Sequence, residues 1–197
     1  APVNQSPVLG AIGAKSVNEA SLLTFTATAT DPESNPMTFS LGGTIPAGAS
    51  ITSAGVFTWT PSEAQGPGVY SVTVVVSDGN STDSEVVSVT VNEVNIAPVL
   101  NSIGNKSVNE NSNLSFAISA LDSDTPANTL TYSATNLPAG ATFNAGTQTF
   151  SWTPNYTQAG TYSNVHFEVT DGAVIDSEDI TITVGNVYRA PSLSSIP

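Results

Sequence analysis

The chain of 197 residues has no cysteine. Disulfide staples and thiolate metal sites are therefore excluded, whereas the compartment stays open, because many secreted bacterial proteins also do without Cys. Basic residues are almost as scarce: 3 Lys and Arg stand against 16 Asp and Glu, for a formal net charge of −13. A balance of that sign excludes nucleic-acid phosphate as a natural partner and favours cations or plain solubility. Histidine occurs once, as His166 between Val165 and Phe167, and reads as a surface residue of a strand. With no Gly-rich phosphate loop, no His-x-x-x-His element and no Ser in a nucleophile elbow, the chain is expected not to be an enzyme. Long apolar runs are missing too, so no direct membrane insertion is expected. The opening Ala1-Pro2-Val3-Asn4-Gln5 has no charged-then-apolar pattern, which reads as targeting information that is absent or already removed.

What the chain does have is repetition. Pro7-Val8-Leu9-Gly10-Ala11-Ile12 returns as Pro98-Val99-Leu100-Asn101-Ser102-Ile103 and again as Pro191-Ser192-Leu193-Ser194-Ser195-Ile196. Lys15-Ser16-Val17-Asn18-Glu19 recurs as Lys106-Ser107-Val108-Asn109-Glu110, and Phe57-Thr58-Trp59-Thr60-Pro61 as Phe150-Ser151-Trp152-Thr153-Pro154. A period of 91 residues from Pro7 to Pro98, and of 93 from Pro98 to Pro191, is the length of a domain with its own core. Residues 1–94 and 95–187 are accordingly expected to be two copies, with 188–197 the start of a truncated third, as in a piece of a longer array.

Strand patterns fill each copy. Leu23, Phe25, Ala27 and Ala29 alternate with four threonines, and Tyr70, Val72, Val74 and Val76 alternate with Ser71, Thr73, Val75 and Ser77, the period of a half-buried strand. Turn signals such as Asp31-Pro32, Ile45-Pro46-Ala47-Gly48 and Asp78-Gly79-Asn80 separate the runs. Strands A to G are placed at 7–18, 21–30, 37–41, 49–52, 55–60, 69–77 and 84–92. The expected fold is all-β, a tandem of immunoglobulin-like, seven-stranded Greek-key β-sandwiches. Trp59 and Trp152 read as core residues and Tyr70 and Tyr162 as corner or core residues, rather than as sugar-stacking platforms.

Counting strands also places the acids. With strand A running from top to base, Glu19 falls at the base of the first copy, while Asp122, Asp124, Asn128 and Asp171 fall in top turns of the second. Asn92-Glu93-Val94-Asn95-Ile96-Ala97-Pro98 runs between them without Lys or Arg. Oxygen-only ligands clustered in this way suit a hard cation, calcium above all. The alternative for each single Asp or Asn is that it stands in a turn because it tolerates turn dihedrals and bonds its own backbone.

These residues carry a family resemblance over essentially the whole chain. Val17-Asn18-Glu19-Ala20 and Val108-Asn109-Glu110-Asn111 resemble the cadherin "P-E-N" acid. Asp122-Ser123-Asp124-Thr125-Pro126-Ala127-Asn128 with Leu130-Thr131-Tyr132-Ser133 resembles "D-x-D…N…L-x-Y-S". Val169-Thr170-Asp171-Gly172 resembles "A-x-D-x-G", and Glu93-Val94-Asn95-Ile96-Ala97-Pro98 the "D-x-N-D-N-A-P" linker. With Trp59-Thr60-Pro61, the chain resembles the bacterial and archaeal cadherin-like repeat, the dystroglycan-type or "putative Ig" module. That resemblance implies calcium at the junction, held by Glu19, Glu93, Asn95, Asp122, Asp124, Asn128 and Asp171, with Glu63 as a substitute at the base. By the same matching Asn4, Asp31, Glu33, Asn35 and Asp78 form a top half-site that binds calcium weakly or not at all, for want of an upstream copy. The linker is one residue short of the cadherin form, Ile96 stands at a ligand position, and Thr60-Pro61-Ser62 replaces "D-R-E". One or two ions are thus expected rather than three.

Other recurring residues are read as structural. Asp83 and Glu85, matched by Asp176 and Glu178, recur at the start of strand G, and an active site need occur only once. Lys15 and Lys106 read as solvated lysines rather than isopeptide donors. Asn80-Ser81-Thr82, Asn113-Leu114-Ser115 and Asn155-Tyr156-Thr157 fit the glycosylation pattern, which a chain this rich in Asn, Ser and Thr yields freely. The resulting expectation is a non-enzymatic, extracellular, secreted or cell-surface stalk or spacer with calcium stiffening its junction. Its partners would be neighbouring repeats of the same chain, surface polysaccharide or homotypic contacts. A carbohydrate-binding accessory module and a passive, metal-free repeat of a filament or surface layer are the competing readings.

Overall fold

A computed structural model of the chain describes residues 3–190. The chain divides into two compact units that meet in sequence at Val94 and Asn95. In the first unit the strands are β1 (Val8–Leu9), β2 (Lys15–Asn18), β3 (Leu23–Thr26), β4 (Ala29–Thr30), β5 (Thr38–Gly42), β6 (Ser50–Ile51), β7 (Val56–Trp59), β8 (Gly68–Ser77) and β9 (Thr82–Asn92). The second unit repeats them as β10 (Val99–Leu100), β11 (Lys106–Asn109), β12 (Leu114–Ala117), β13 (Ala120–Leu121), β14 (Thr131–Thr135), β15 (Thr142–Asn144), β16 (Thr149–Trp152), β17 (Gly160–Thr170) and β18 (Ile175–Gly185). Of the third copy expected over 188–197, residues 191–197 lie outside the described residues.

Each unit is a sandwich. In the first, a four-stranded sheet of order β2-β9-β8-β5 faces a three-stranded sheet of order β3-β7-β6, and β1 pairs with β4; the second unit has the same orders in β10 to β18. Alternation determines what is buried: Val72, Val74, Val87, Val89 and Val91 point inward and meet Phe57, Trp59 and Leu23 in one core, and Val76 is buried on the same face of β8. Trp59 and Trp152 are each 1% exposed. Their indole N–H groups donate to Ala47 O and Ala139 O at 3.1 and 3.2 Å, which removes the penalty of burying a donor. Each meets the ring of Tyr70 or Tyr162 edge-on, at 5.0 and 4.9 Å between centroids. The tyrosine hydroxyls donate to Gln65 O and Gln158 O, both at 2.9 Å, pinning the start of the long strand to the preceding loop.

The expected strands A and B are each broken in two. Strand A pairs first antiparallel with β4 and then, as β2, parallel with β9. At the changeover the Gly10 N–H still reaches a backbone acceptor, Thr28 O at 2.7 Å, whereas the Leu9, Ile12 and Gly13 N–H groups turn to carboxylates. The acceptors are side chains of β9: Asp83 accepts from Leu9 N–H (2.7 Å), and Glu85 accepts from Ile12 N–H (2.7 Å) and Gly13 N–H (2.8 Å). Asp176 and Glu178 do the same for Leu100, Ile103 and Gly104. The crossover also engages Lys15 and Lys106, which are not simply solvated. Each ammonium donates to the carbonyl of Ile12 or Ile103, and lies 5.6 or 5.3 Å from the ring centre of Phe25 or Phe116.

Because Trp59 fills the core end to which both the Ala47 loop and the Tyr70 corner are attached, Trp59→Ala should destabilise the first unit by about 3–5 kcal/mol. Denaturant unfolding of the full chain checks this, and a loss below about 1 kcal/mol would contradict the packing described.

Candidate metal sites at the ends of each unit

The base of the first unit is built around Glu19. Its backbone N–H donates to Asn92 O at the end of β9, and Ala20 N–H donates to Pro61 O beyond β7. The turn after β2 is thereby tied to the ends of two other strands. Ala20 adopts a positive φ of 54°, so the chain reverses immediately after the acid. The Glu19 side chain is drawn inward and is 2% exposed. Val94 N–H donates to its Oε1 at 2.9 Å, whereas its Oε2 is buried and accepts no hydrogen bond. Glu63, at the start of a short 3-10 turn, and Glu93, after β9, complete the group: one oxygen from each of the three acids lies within 4.8 Å of the others. Oxygens around a calcium ion at about 2.3–2.6 Å lie at most about 5 Å apart, so the span fits.

At the top of the second unit, Asp122 and Asp124 come from the turn after β13 and Asp171 from the turn after β17. One oxygen of each again lies within 4.8 Å of the others. Asp124 is buried; Ile96 N–H donates to its Oδ1 at 2.8 Å, and Asn128 donates its amide to Oδ2. Asn95 donates to Asp171 Oδ2 at 2.8 Å and accepts from Asn128 at 3.3 Å. Asp122 Oδ1 accepts from Asp124 N–H at 3.0 Å, while Oδ2 is buried without a hydrogen bond. The Val174 N–H, then the Asn95 amide and the Ala173 N–H, hold the Asp171 carboxyl below its ordinary range. It is therefore anionic at neutral pH.

The top of the first unit is arranged differently. Asn4 donates to Asp78 Oδ2 (2.9 Å) and Ser81 Oγ (2.8 Å), and Asn35 donates to Asn4 Oδ1 (3.1 Å). The Ser81 N–H, then the Asn4 amide and the Asn80 N–H, pull Asp78 down to about 2. Asp31 Oδ1 caps its own turn through Glu33 N–H and Asn35 N–H, and Oδ2 is buried without a hydrogen bond. Glu33 is turned to Gln5, accepting from its side-chain and backbone N–H groups at 2.9 and 3.2 Å. Among the described residues, Asp31, Glu33 and Asp78 do not gather as the other two groups do.

His166 is a strand residue of β17 with two acidic partners. It is half-buried on the outer face of the four-stranded sheet of the second unit, with Nδ1 2.7 Å from Asp179 Oδ1 and Nε2 2.9 Å from Glu168 Oε1. Ser133 Oγ donates to the other oxygen of Glu168 at 3.1 Å. The strand registers place Thr73, Val75 and Val86 at the matching positions of the first unit. Glu168 stands two residues on, but Asp179 is a cross-strand partner on β18 that only pairing brings near.

Each unit has the immunoglobulin-like sandwich architecture in an all-β, tandem arrangement. The chain belongs to the "Putative Ig domain" family, whose sequence profile matches residues 2–92 and 97–185. No curated protein matches the chain in sequence. Among solved structures it is similar to human protocadherin-24 EC1-2, at 18% identity over 94% of this chain and 100% of that one, with a TM-score of 0.52. Mouse cadherin-23 EC22-24 is similar at 18% identity, covering 94% of this chain and 68% of that one, with a TM-score of 0.57. The chain also spans 29% of the length of an endo-fucoidan hydrolase of glycoside hydrolase family 107, at 20% identity and a TM-score of 0.42. The likenesses to the two cadherin structures establish a cadherin-like fold. Among the described residues no helix is long and apolar enough to cross a membrane.

Asp179 first, and then Glu168, raises the pKa of His166 above its ordinary value of 6.5. The clasp therefore adds stability below the unfolded value and loses it as pH rises through the higher folded one. An NMR titration of the single imidazole should place its midpoint above 6.5, and Asp179→Asn should lower it. A midpoint at or below that value would refute the two-carboxylate arrangement.

Proposed function

We propose that the chain is a non-enzymatic, extracellular tandem repeat, a stalk or spacer, whose two units are held at a set angle by calcium. The observation that carries this reading is Glu19 Oε2, a carboxylate oxygen in a side chain 2% exposed, with no hydrogen bond and with the carboxylates of Glu63 and Glu93 beside it. An anionic oxygen taken out of water without a donor is strongly unfavourable unless a cation meets it. Asp122 Oδ2 is in the same condition within the second acidic group. Glu93 closes the first group and Asn95 opens the second, two residues apart in the chain. With calcium, ligands on both sides of Val94 would be drawn to shared or adjacent ions; without it, like charges would repel and the short linker would swing. Affinities in extracellular modules of this kind are about 10⁻⁴–10⁻³ M, suited to millimolar calcium.

The polysaccharide-binding reading calls for exposed, coplanar aromatics. Trp59 and Trp152 are core residues, and Tyr70 and Tyr162 spend their hydroxyls on backbone carbonyls. Those four residues lend it no support.

Small-angle scattering of the full chain, in calcium and then in chelator, tests the proposal. Calcium should lengthen and narrow the particle distribution, and Glu19→Gln and Asp122→Asn should each weaken the response by about tenfold or more in calcium concentration. Identical scattering in the two conditions, with no change in unfolding temperature, would rule out the calcium-held linker.

A further inference from the structure

The hydrogen-bonded frames of the two bases correspond except at one place. Val94 N–H donates to Glu19 Oε1 and Val187 N–H to Glu110 Oε2, both at 2.9 Å. Gln65 and Gln158 donate their side-chain amides to Ala47 O and Ala139 O, and accept from the corner tyrosines. Between glutamine and tyrosine, however, the first unit has Gly66-Pro67-Gly68-Val69 and the second only Ala159-Gly160-Thr161. Ala159 N–H donates to Glu110 Oε1 at 3.2 Å, so both oxygens of that carboxylate, in a side chain 3% exposed, have a backbone donor. In the first unit Gly66 N–H is turned to Glu63 O at 3.3 Å, and Pro67 has no N–H to offer. Glu19 Oε2 consequently accepts nothing. The space is also kept open by glycine: a Cβ at position 66 would lie 1.9 Å from Glu19 Oε2.

The surrounding charges change in the same direction. Counting from the shared prolines and valines, Glu63 is matched by Tyr156, Glu93 by Asn186 and Ile96 by Arg189. The Arg189 guanidinium lies 4.3 Å from the Tyr156 ring centre, a cation–π distance. One base therefore carries three carboxylates and an open oxygen. The other carries one carboxylate with an N–H donor on each oxygen, and an arginine that stands over Tyr156.

We infer that metal competence at these bases is decided by a backbone donor and not by the glutamate itself: Gly66-Pro67 opens the first base to a divalent cation, and Ala159 N–H closes the second. The opened half rests on the calcium reading of the first base; the closed half does not. Three variants of the full chain test it: Glu19→Gln, Glu110→Gln, and replacement of Gly66-Pro67 by one alanine, which substitutes no ligand residue and gives the loop the length it has in the second unit. Calcium binding is read by competition with a chromophoric chelator, and unfolding temperature is read in excess EDTA. Glu19→Gln and the alanine replacement should each weaken binding at one site about tenfold or more, whereas Glu110→Gln should leave the titration unchanged. In EDTA, Glu110→Gln should lower the unfolding temperature, because an amide nitrogen replaces one of two acceptors, and Glu19→Gln should raise it by relieving an unpartnered charge. Loss of a calcium site on Glu110→Gln, or wild-type binding by a folded alanine replacement, would overturn the inference. Should that replacement not fold, the two glutamine variants decide. Should the wild type bind no calcium, the calcium reading falls, and the EDTA comparison still judges the closed base: a greater loss of stability in Glu19→Gln than in Glu110→Gln would overturn it.

Discussion

A strand that changes sheets, or a turn that leaves a sheet, carries backbone N–H groups with no neighbouring strand to receive them, and a buried N–H without an acceptor is strongly disfavoured. In this protein the acceptors are carboxylates. Asp83 and Glu85 hold the crossover of the first strand in one unit, and Asp176 and Glu178 hold it in the other. Glu19 and Glu110 receive the N–H groups that follow the last strand, and Asp31, Asp78 and Asp171 receive those of their own turns. The 16 acids against 3 bases are thus in large part a set of internal acceptors. Those at the crossover receive the N–H groups where the first strand divides between two sheets.

The same chemistry connects scaffold to site. A carboxylate has two oxygens, and where backbone donors occupy both, as at Glu110, the residue is finished as a structural part. Where one donor is missing, as at Glu19, the remaining oxygen retains its affinity for positive charge in a place water hardly reaches. A shift from structural acid to candidate ligand therefore requires no change of the acid, only of the strand-to-strand loop beside it. His166 illustrates a related economy on the sheet face of the second unit: two carboxylates that would repel are bridged by one imidazole, where the first unit has Thr73, Val75 and Val86 instead.

Much of the fold is legible in the residues. Alternation at Val72, Val74 and Val76 announces a strand with one buried face, and Phe57 with Trp59 marks the facing strand, because side-chain direction along a strand has period two and burial follows it. The positions of Glu19, Asp122, Asp124 and Asp171 at unit ends follow from counting strands between turns. Less legible are the breaks in strands A and B. They arise where local β propensity continues while pairing partners change, and the acceptors that permit the change lie some 70 positions away on strand G. Asp179 beside His166 is invisible for the same reason: proximity across strands depends on register.

By itself, then, the amino-acid order determined a duplicated all-β domain, the identity of its core tryptophans and the gathering of acids at domain ends, since each of these depends on periodicity, turn chemistry and composition. Which acids are satisfied and which are not was decided only in three dimensions. Glu19 and Glu110 sit in the same Lys-Ser-Val-Asn-Glu motif, yet one has an open oxygen and the other has none. The difference lies in a single N–H supplied from 49 residues further along the chain in one unit, whereas in the other the Gly66 N–H is turned to Glu63 O and Pro67 has none.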